Sequence, residues 1–132
     1  MTDNDLMLLA EKAREDSYSP YSGFAVGAAL LCGDGKIYTG CNIENSSFSP
    51  TCCAERVAFF SAVKDGERSF AKIAIAGGKK GERPLDICSP CGVCRQVMSE
   101  FCREDFILLL GNCDSIKSYS LSEILPLSFG LK

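Results

Sequence analysis

The run Phe24-Ala25-Val26-Gly27-Ala28-Ala29-Leu30-Leu31, then Gly33-Asp34-Gly35, then Lys36 to Ile43, decides the architecture. Phe24, Val26, Ala28 and Leu30 alternate along one face, the two-residue period of a strand. Gly33-Asp34-Gly35 has hairpin-turn composition, so the chain returns as a second strand. Upstream, Leu6, Leu9, Ala10 and Ala13 recur at helical spacing with Glu11, Lys12 and Glu15 between them. This pattern predicts an amphipathic helix over residues 3–18. Ser19-Pro20-Tyr21-Ser22-Gly23 breaks it.

Downstream, residues 44–52 read as a loop, and a second helix is expected from Cys53 to Lys64, ended by Asp65-Gly66. Phe70 to Ala76 is a short apolar strand, followed by Gly77-Gly78 and a polar loop to Ser89. A third helix begins near Cys91, with one stripe of Val93, Val97 and Phe101 and a neighbouring one of Cys94, Met98 and Cys102. Phe106 to Leu110 is almost wholly apolar and reads as an inner strand covered on both faces. Ile116 to Tyr119 is a fifth strand, and Ser120-Leu121-Ser122-Glu123 is a capping box opening a short helix limited by Pro126. A hairpin followed by alternating helices and strands argues an α/β fold with a mixed, partly parallel five-stranded sheet, in one domain over residues 1–132.

Composition narrows the chemistry. Hydrophobic residues make up 46% and charged residues 23% of the 132-residue chain, ordinary globular values. The net charge of −3, with no long basic run, speaks against a nucleic-acid partner. No apolar run is long enough for a membrane helix. The acidic start, Met1-Thr2-Asp3-Asn4-Asp5, lacks signal-peptide shape, so a cytoplasmic location is expected. Nine cysteines, an odd count, favour metal ligands and buried thiols over a disulfide framework. There is no histidine, which excludes Ser-His-Asp and Cys-His sites.

Two fragments carry metal chemistry: Cys53-Ala54-Glu55 and Pro90-Cys91-Gly92-Val93-Cys94. Cys53, Cys91 and Cys94 supply three thiolates and leave zinc a fourth position, the mark of a catalytic site. Glu55 is a carboxylate beside the metal and free to move protons. Both fragments fall at expected helix starts, where the dipole favours thiolate over thiol. Three thiolates on one Zn²⁺ leave a net negative charge, which weakens activation of water. Arg56 is expected to offset it by donating hydrogen bonds to the ligand sulfurs; alone, it reads as a solvated helix arginine. Glu55 alone would equally suit a first-turn acid facing the dipole. Cys32, Cys41, Cys102 and Cys113 read as small buried hydrophobes. Cys52 and Cys88 adjoin the metal region, but Cys52 and Cys53 can hardly both enter one tight site, and Cys53 has the correct spacing to Glu55.

The ordered combination, Cys-Ala-Glu and then Pro-Cys-x-x-Cys, is the zinc deaminase signature with Cys in place of the first His. The likeness extends along the chain. Residues 18–27, Gly40-Cys41-Asn42-Ile43-Glu44-Asn45, Cys53-Ala54-Glu55-Arg56, Ser89-Pro90-Cys91-Gly92-Val93-Cys94-Arg95-Gln96 and Leu125-Pro126 with Phe129 resemble successive motifs of the small, homotetrameric cytidine deaminases. The resemblance implies a three-layer sandwich and one zinc per subunit. It also implies hydrolysis of cytidine and deoxycytidine to uridine and deoxyuridine with loss of ammonia, in pyrimidine salvage. By resemblance Cys53, Cys91 and Cys94 hold zinc and Glu55 shuttles protons. Asn42 and Glu44 would hold the ribose hydroxyls, Phe24 would pack on the pyrimidine, and the Ala54 N–H would meet the base carbonyl. Phe48 and Phe129 would reach a neighbouring subunit's site in a homotetramer with shared sites; relatives often carry Tyr where Phe48 stands. Without the resemblance, Phe24 and Val26 would read as core, and Asn42 and Glu44 as turn residues. Blasticidin-type deaminases share the zinc motifs, but Asn42-Ile43-Glu44-Asn45 favours a nucleoside. A structural zinc module would need a fourth closing ligand, which Cys52 or Cys88 could supply.

Overall fold

The computed structural model describes residues 1–131. One sheet contains β1 (Phe24–Cys32), β2 (Ile37–Cys41), β3 (Phe70–Lys79), β4 (Ile107–Asn112) and β5 (Ser115–Ser120), in the spatial order β2-β1-β3-β4-β5. The helices are α1 (Asp3–Ala13), α2 (Ala54–Lys64), α3 (Gly92–Phe101) and α4 (Leu121–Ile124). Only β3 and β4 pair in parallel; the other neighbours are antiparallel. The mixed sheet matches the expected α/β class.

The sheet is covered on both faces. Leu6, Met7 and Ala10 of α1 pack on Ala29, Ala74, Ala76 and Leu109. The opposite face, with Ala28, Leu30, Ile73, Ile75, Leu108 and Leu110, meets Phe59 of α2, Met98 of α3 and Leu121 of α4. Small residues on the α1 face let that helix lie close, while large ones fill the thicker second layer. Phe59 centres that layer, with its ring 5.2 Å from Phe70 and 6.0 Å from Phe106.

Strand direction determines where the helices start. β2 and β3 are both antiparallel to β1 and therefore run the same way. α2 follows β2 and α3 follows β3, so both helices begin beyond the carboxyl edge of the sheet, the usual place for an α/β site. Gly40 on β2 lets α2 approach. A Cβ built on Gly40 would stand 2.3 Å from the Ala54 oxygen and 2.7 Å from the Ala58 nitrogen. No rotamer change can relieve a clash with helix backbone.

The structure corrects several expectations. The first helix stops at Ala13, and Arg14–Asp16 tighten into a 3₁₀ turn. The buried Arg14 side chain donates from Nε to the Ala25 oxygen at 2.9 Å and from Nη2 to the Lys79 oxygen at 3.1 Å. Those bonds tie the turn to β1 and β3, which the local periodicity could not reveal. β3 continues through Gly77-Gly78, because β1 extends the ladder to Phe24↔Lys79. Of the two stripes on α3, Cys94 and Met98 are the buried pair, whereas Val93 is exposed. Among the cysteines expected as core, Cys32 is buried, and Cys41, Cys102 and Cys113 are only partly so.

Replacing Gly40 with alanine should overpack the α2–β2 contact and cost about 1–3 kcal/mol. Chemical denaturation measures this, and an unchanged midpoint and slope would refute the close-approach account.

Candidate metal centre and active site

The backbone explains how three cysteines meet. Cys53 caps α2 with φ −75° and ψ 154°, and Cys91 caps α3 with φ −69° and ψ 167°. Both are extended rather than helical, and each stands at the end of its helix where the first N–H groups are free. Cys94 lies in the first turn of α3, and its side chain is buried. The Sγ atoms of Cys53 and Cys91 are 3.7 Å apart, and those of Cys91 and Cys94 are 3.3 Å apart.

These separations fit zinc. Thiolates bound tetrahedrally at ~2.3 Å stand roughly 3.8 Å from one another. All three Sγ atoms lie within 4.8 Å of each other, and no fourth Cys, Asp or Glu of the described residues joins that set. Cys52 and Cys88 line the adjoining cavity without entering the cluster. The donor set is therefore three sulfurs with one position left over. A second trio, Cys32, Asp34 and Glu67, has partners of its own. Asp34 accepts from the Lys36 N–H at 3.0 Å, and Lys36 Nζ lies 3.9 Å from Glu67.

Glu55 shares the cavity with the cluster. Residues two apart in a helix do not share a face, but Cys53 is extended, so both it and Glu55 line the same hollow of about 180 Å³. Glu55 is 4% exposed. Burial pushes its carboxyl up to about 7, with the nearby Cys53 sulfur adding to the shift. Without metal, the thiols share protons unequally. Cys53 is drawn down to about 5 because it accepts from the Cys94 thiol and the Arg56 guanidinium. Cys94 is pushed up because it donates to Cys53 and is buried. Arg56 Nη2 donates to Cys53 Sγ at 3.4 Å and to the Thr51 oxygen at 3.4 Å. Its Nε is buried without an acceptor among the described residues. Burial pushes the Cys88 thiol up to about 11, so it stays neutral beside the cluster.

Asn42 and Glu44 also line the cavity. The Glu44 carboxylate is held by the Ser22 hydroxyl and by the Tyr21 and Ser22 N–H groups at 3.0 and 3.1 Å. The Ser22 hydroxyl, first among these, keeps it below the usual carboxylate range. Asn42 Oδ1 accepts from Val26 N at 2.9 Å and Ser17 Oγ at 2.5 Å, and Nδ2 donates to the Phe24 oxygen at 2.8 Å. One Nδ2 hydrogen remains for a ligand. Ala54 opens α2 in the cavity wall.

The aromatic candidates are not gathered there. Phe24 borders a neighbouring hollow, Phe48 is 88% exposed and Phe129 is 69% exposed. Sequence reasoning missed Val26, Thr51 and Ser89 as cavity residues, and Ser17 and Ser22 as supports for Asn42 and Glu44. The two serines had a usable signal: they flank the Pro20-Tyr21 turn that packs on the Asn42-Ile43-Glu44 segment.

Comparison with known proteins agrees with this geometry. The family model "Cytidine and deoxycytidylate deaminase zinc-binding region" matches residues 1–110. A cytidine deaminase of Sporosarcina psychrophila is 50% identical over 94% of this chain and 88% of its own length. One from Halalkalibacterium halodurans is 48% identical over 93% and 92%. The crystal structure of cytidine deaminase from Burkholderia pseudomallei superposes with a TM-score of 0.88 at 43% identity, covering 98% of this chain and all of that one.

Replacing Cys53, Cys91 or Cys94 with alanine should lower bound zinc from one per chain to about a tenth or less, while Cys52→Ala retains it. Elemental analysis of the dialysed protein decides this; zinc loss in Cys52→Ala would mean a four-sulfur site.

Proposed function

The chain belongs to the cytidine and deoxycytidylate deaminase family, and on that premise we propose how its own residues convert cytidine and deoxycytidine to uridine and deoxyuridine with release of ammonia. The observation that carries the proposal is the sharing of one cavity by Cys53 and Cys91 of the three-sulfur cluster, the buried Glu55, and Asn42 and Glu44. Cys53, Cys91 and Cys94 would hold the zinc on which this family depends. When bound, zinc supplies a Lewis acid that makes water a nucleophile near neutral pH.

Glu55 does the proton work. Its carboxylate takes a proton from the attacking water and delivers it to pyrimidine N3 as oxygen adds to C4. The same carboxylate then takes the proton of the new C4 hydroxyl and passes it to the 4-amino group, and as the C4 carbonyl forms the C4–N bond breaks and ammonia leaves. Burial suits this role, because a carboxyl that binds its proton more tightly than a solvated one can both accept and return it. Arg56 spreads positive charge over Cys53 and so offsets the surplus negative charge of three thiolates. Asn42 and Glu44 receive the ribose hydroxyls, with Glu44 kept ionised as an acceptor. The Ala54 N–H faces the base carbonyl.

Three further readings complete the proposal. The 132 residues form a single domain. The enzyme works in cytoplasmic pyrimidine salvage. It is a homotetramer in which Phe48 and Phe129, which lie outside their own subunit's cavity, close a neighbour's site and Phe24 packs on the base.

Glu55→Gln should keep its zinc and lose about 10⁴-fold or more in kcat, because it removes both shuttle and charge. The fall in cytidine absorbance follows this directly, and substantial turnover in that variant would defeat the assignment. Arg56→Gln should lose about 10–100-fold in activity or zinc affinity; full retention of both would remove its proposed role. Light scattering should give four times the 14.2 kDa chain mass. A monomer that is fully active would rule out shared sites.

A further inference from the structure

The three sulfurs are not equally well held. Cys94 is buried in the first turn of α3, and Cys53 receives the Arg56 guanidinium. Cys91 is the exposed member, and among the described residues its sulfur finds hydrogen-bond partners only in the other two. Gly92 follows it in open space, since a Cβ built there would meet nothing within 4 Å. Side-chain packing therefore does little to aim Cys91, and the task falls to its backbone.

One residue supplies that constraint. The direction of the Cys91 side chain follows from its φ and ψ, which set the two peptide planes flanking its Cα. The first plane carries the Pro90 carbonyl, which accepts from Arg95 Nε at 2.9 Å. The second carries the carbonyl of Cys91 itself, which accepts from the Arg95 backbone N–H at 3.0 Å. The second bond belongs to the helix and needs no particular side chain. The first lies outside the helix and depends on the guanidinium. Both planes are thus held from the residue next to the ligand Cys94, and Cys91 keeps φ −69° and ψ 167°.

The guanidinium is anchored on its other side. Nη1 donates to the Ile124 oxygen at 2.5 Å, one of the carbonyls that the end of α4 leaves unpaired. α4 is fixed in turn by buried Leu121 and by the capping box of Ser120 and Glu123. The fork of donors joins carbonyls from two distant segments, a geometry that arginine provides and lysine does not.

We propose that Arg95 is the positioning residue of the metal loop. By holding the Pro90 carbonyl against α4, it fixes the direction of Cys91 and sets how tightly the chain keeps zinc. The proposal rests on the reading of Cys53, Cys91 and Cys94 as zinc ligands. The C-terminal segment thereby takes part in the metal site without entering it. Arg56 acts on Cys53 by charge, whereas Arg95 acts on Cys91 by geometry.

The test starts from zinc-loaded wild type, Arg95→Ala and Arg95→Lys. Each is titrated with a chelator of known zinc affinity, and far-ultraviolet circular dichroism is followed on the same samples. Loss of an outer partner of a metal ligand weakens binding by roughly 10–100-fold, and both variants should fall in that range while still folded. Lysine keeps the charge, but its single ammonium cannot stand at both the Nε and the Nη1 positions. Full recovery of affinity in Arg95→Lys would therefore overturn the proposal in favour of a charge effect. Unchanged affinity in both variants would overturn it too. So would zinc release that occurs only as the circular dichroism is lost, or variants that do not fold, because Arg95 would then serve the fold and not Cys91. A wild type that takes up no zinc would instead overturn the reading of the metal centre.

Discussion

Three cysteine sulfurs converge on one point, and as thiolates holding zinc they would repel each other, so the proposed site depends on overcoming that repulsion. Two helix N-termini and one guanidinium oppose it. Cys53 and Cys91 are the N-caps of α2 and α3, so both sulfurs lie where unpaired N–H groups and the dipole favour negative charge. Arg56 adds a full positive charge at Cys53. A structure that brought the cysteines together at helix carboxyl ends would have faced the opposite field.

The sheet makes that meeting possible. Because β1 lies between β2 and β3 and is antiparallel to both, the two strands end on the same edge. The helices that follow them must start there. Close packing then sets the distance: the bare backbone at Gly40 admits α2 until its first turn nearly touches β2. Topology supplies the direction and packing the last few ångströms, and a metal site tolerates little error in either.

The substrate end is built differently. Asn42 and Glu44 are not held by regular structure but by the turn at residues 17–23, through Ser17, Tyr21 and Ser22. That turn is itself fixed by the buried Arg14, which bonds to β1 and β3. A buried arginine that does not line the cavity thus steadies the polar groups proposed to receive the sugar. The metal end is rigid through helix and sheet, and the sugar end through a chain of side-chain hydrogen bonds.

Much of this was legible beforehand, for identifiable reasons. The 24–31 alternation, the glycine turn after it and the Ser120 capping box each encode a local geometry, and each element formed. The two cysteine fragments carried their helix-start positions in their own loop-to-helix context. Local pattern failed where a distant partner overruled it. Residues 14–18 leave the helix because Arg14 bonds to strands, and Gly77-Gly78 stay in β3 because β1 continues beside them. By itself, the sequence determined the class of sheet, the ligand types and the likeness to a deaminase family, since these reside in residue identity and short-range spacing. Only the tertiary structure decided that three sulfurs and not five converge, that Glu55 is buried beside them, and that Cys88 stands as a wall rather than a ligand. Those outcomes depend on strand direction and helix approach, which no local stretch contains.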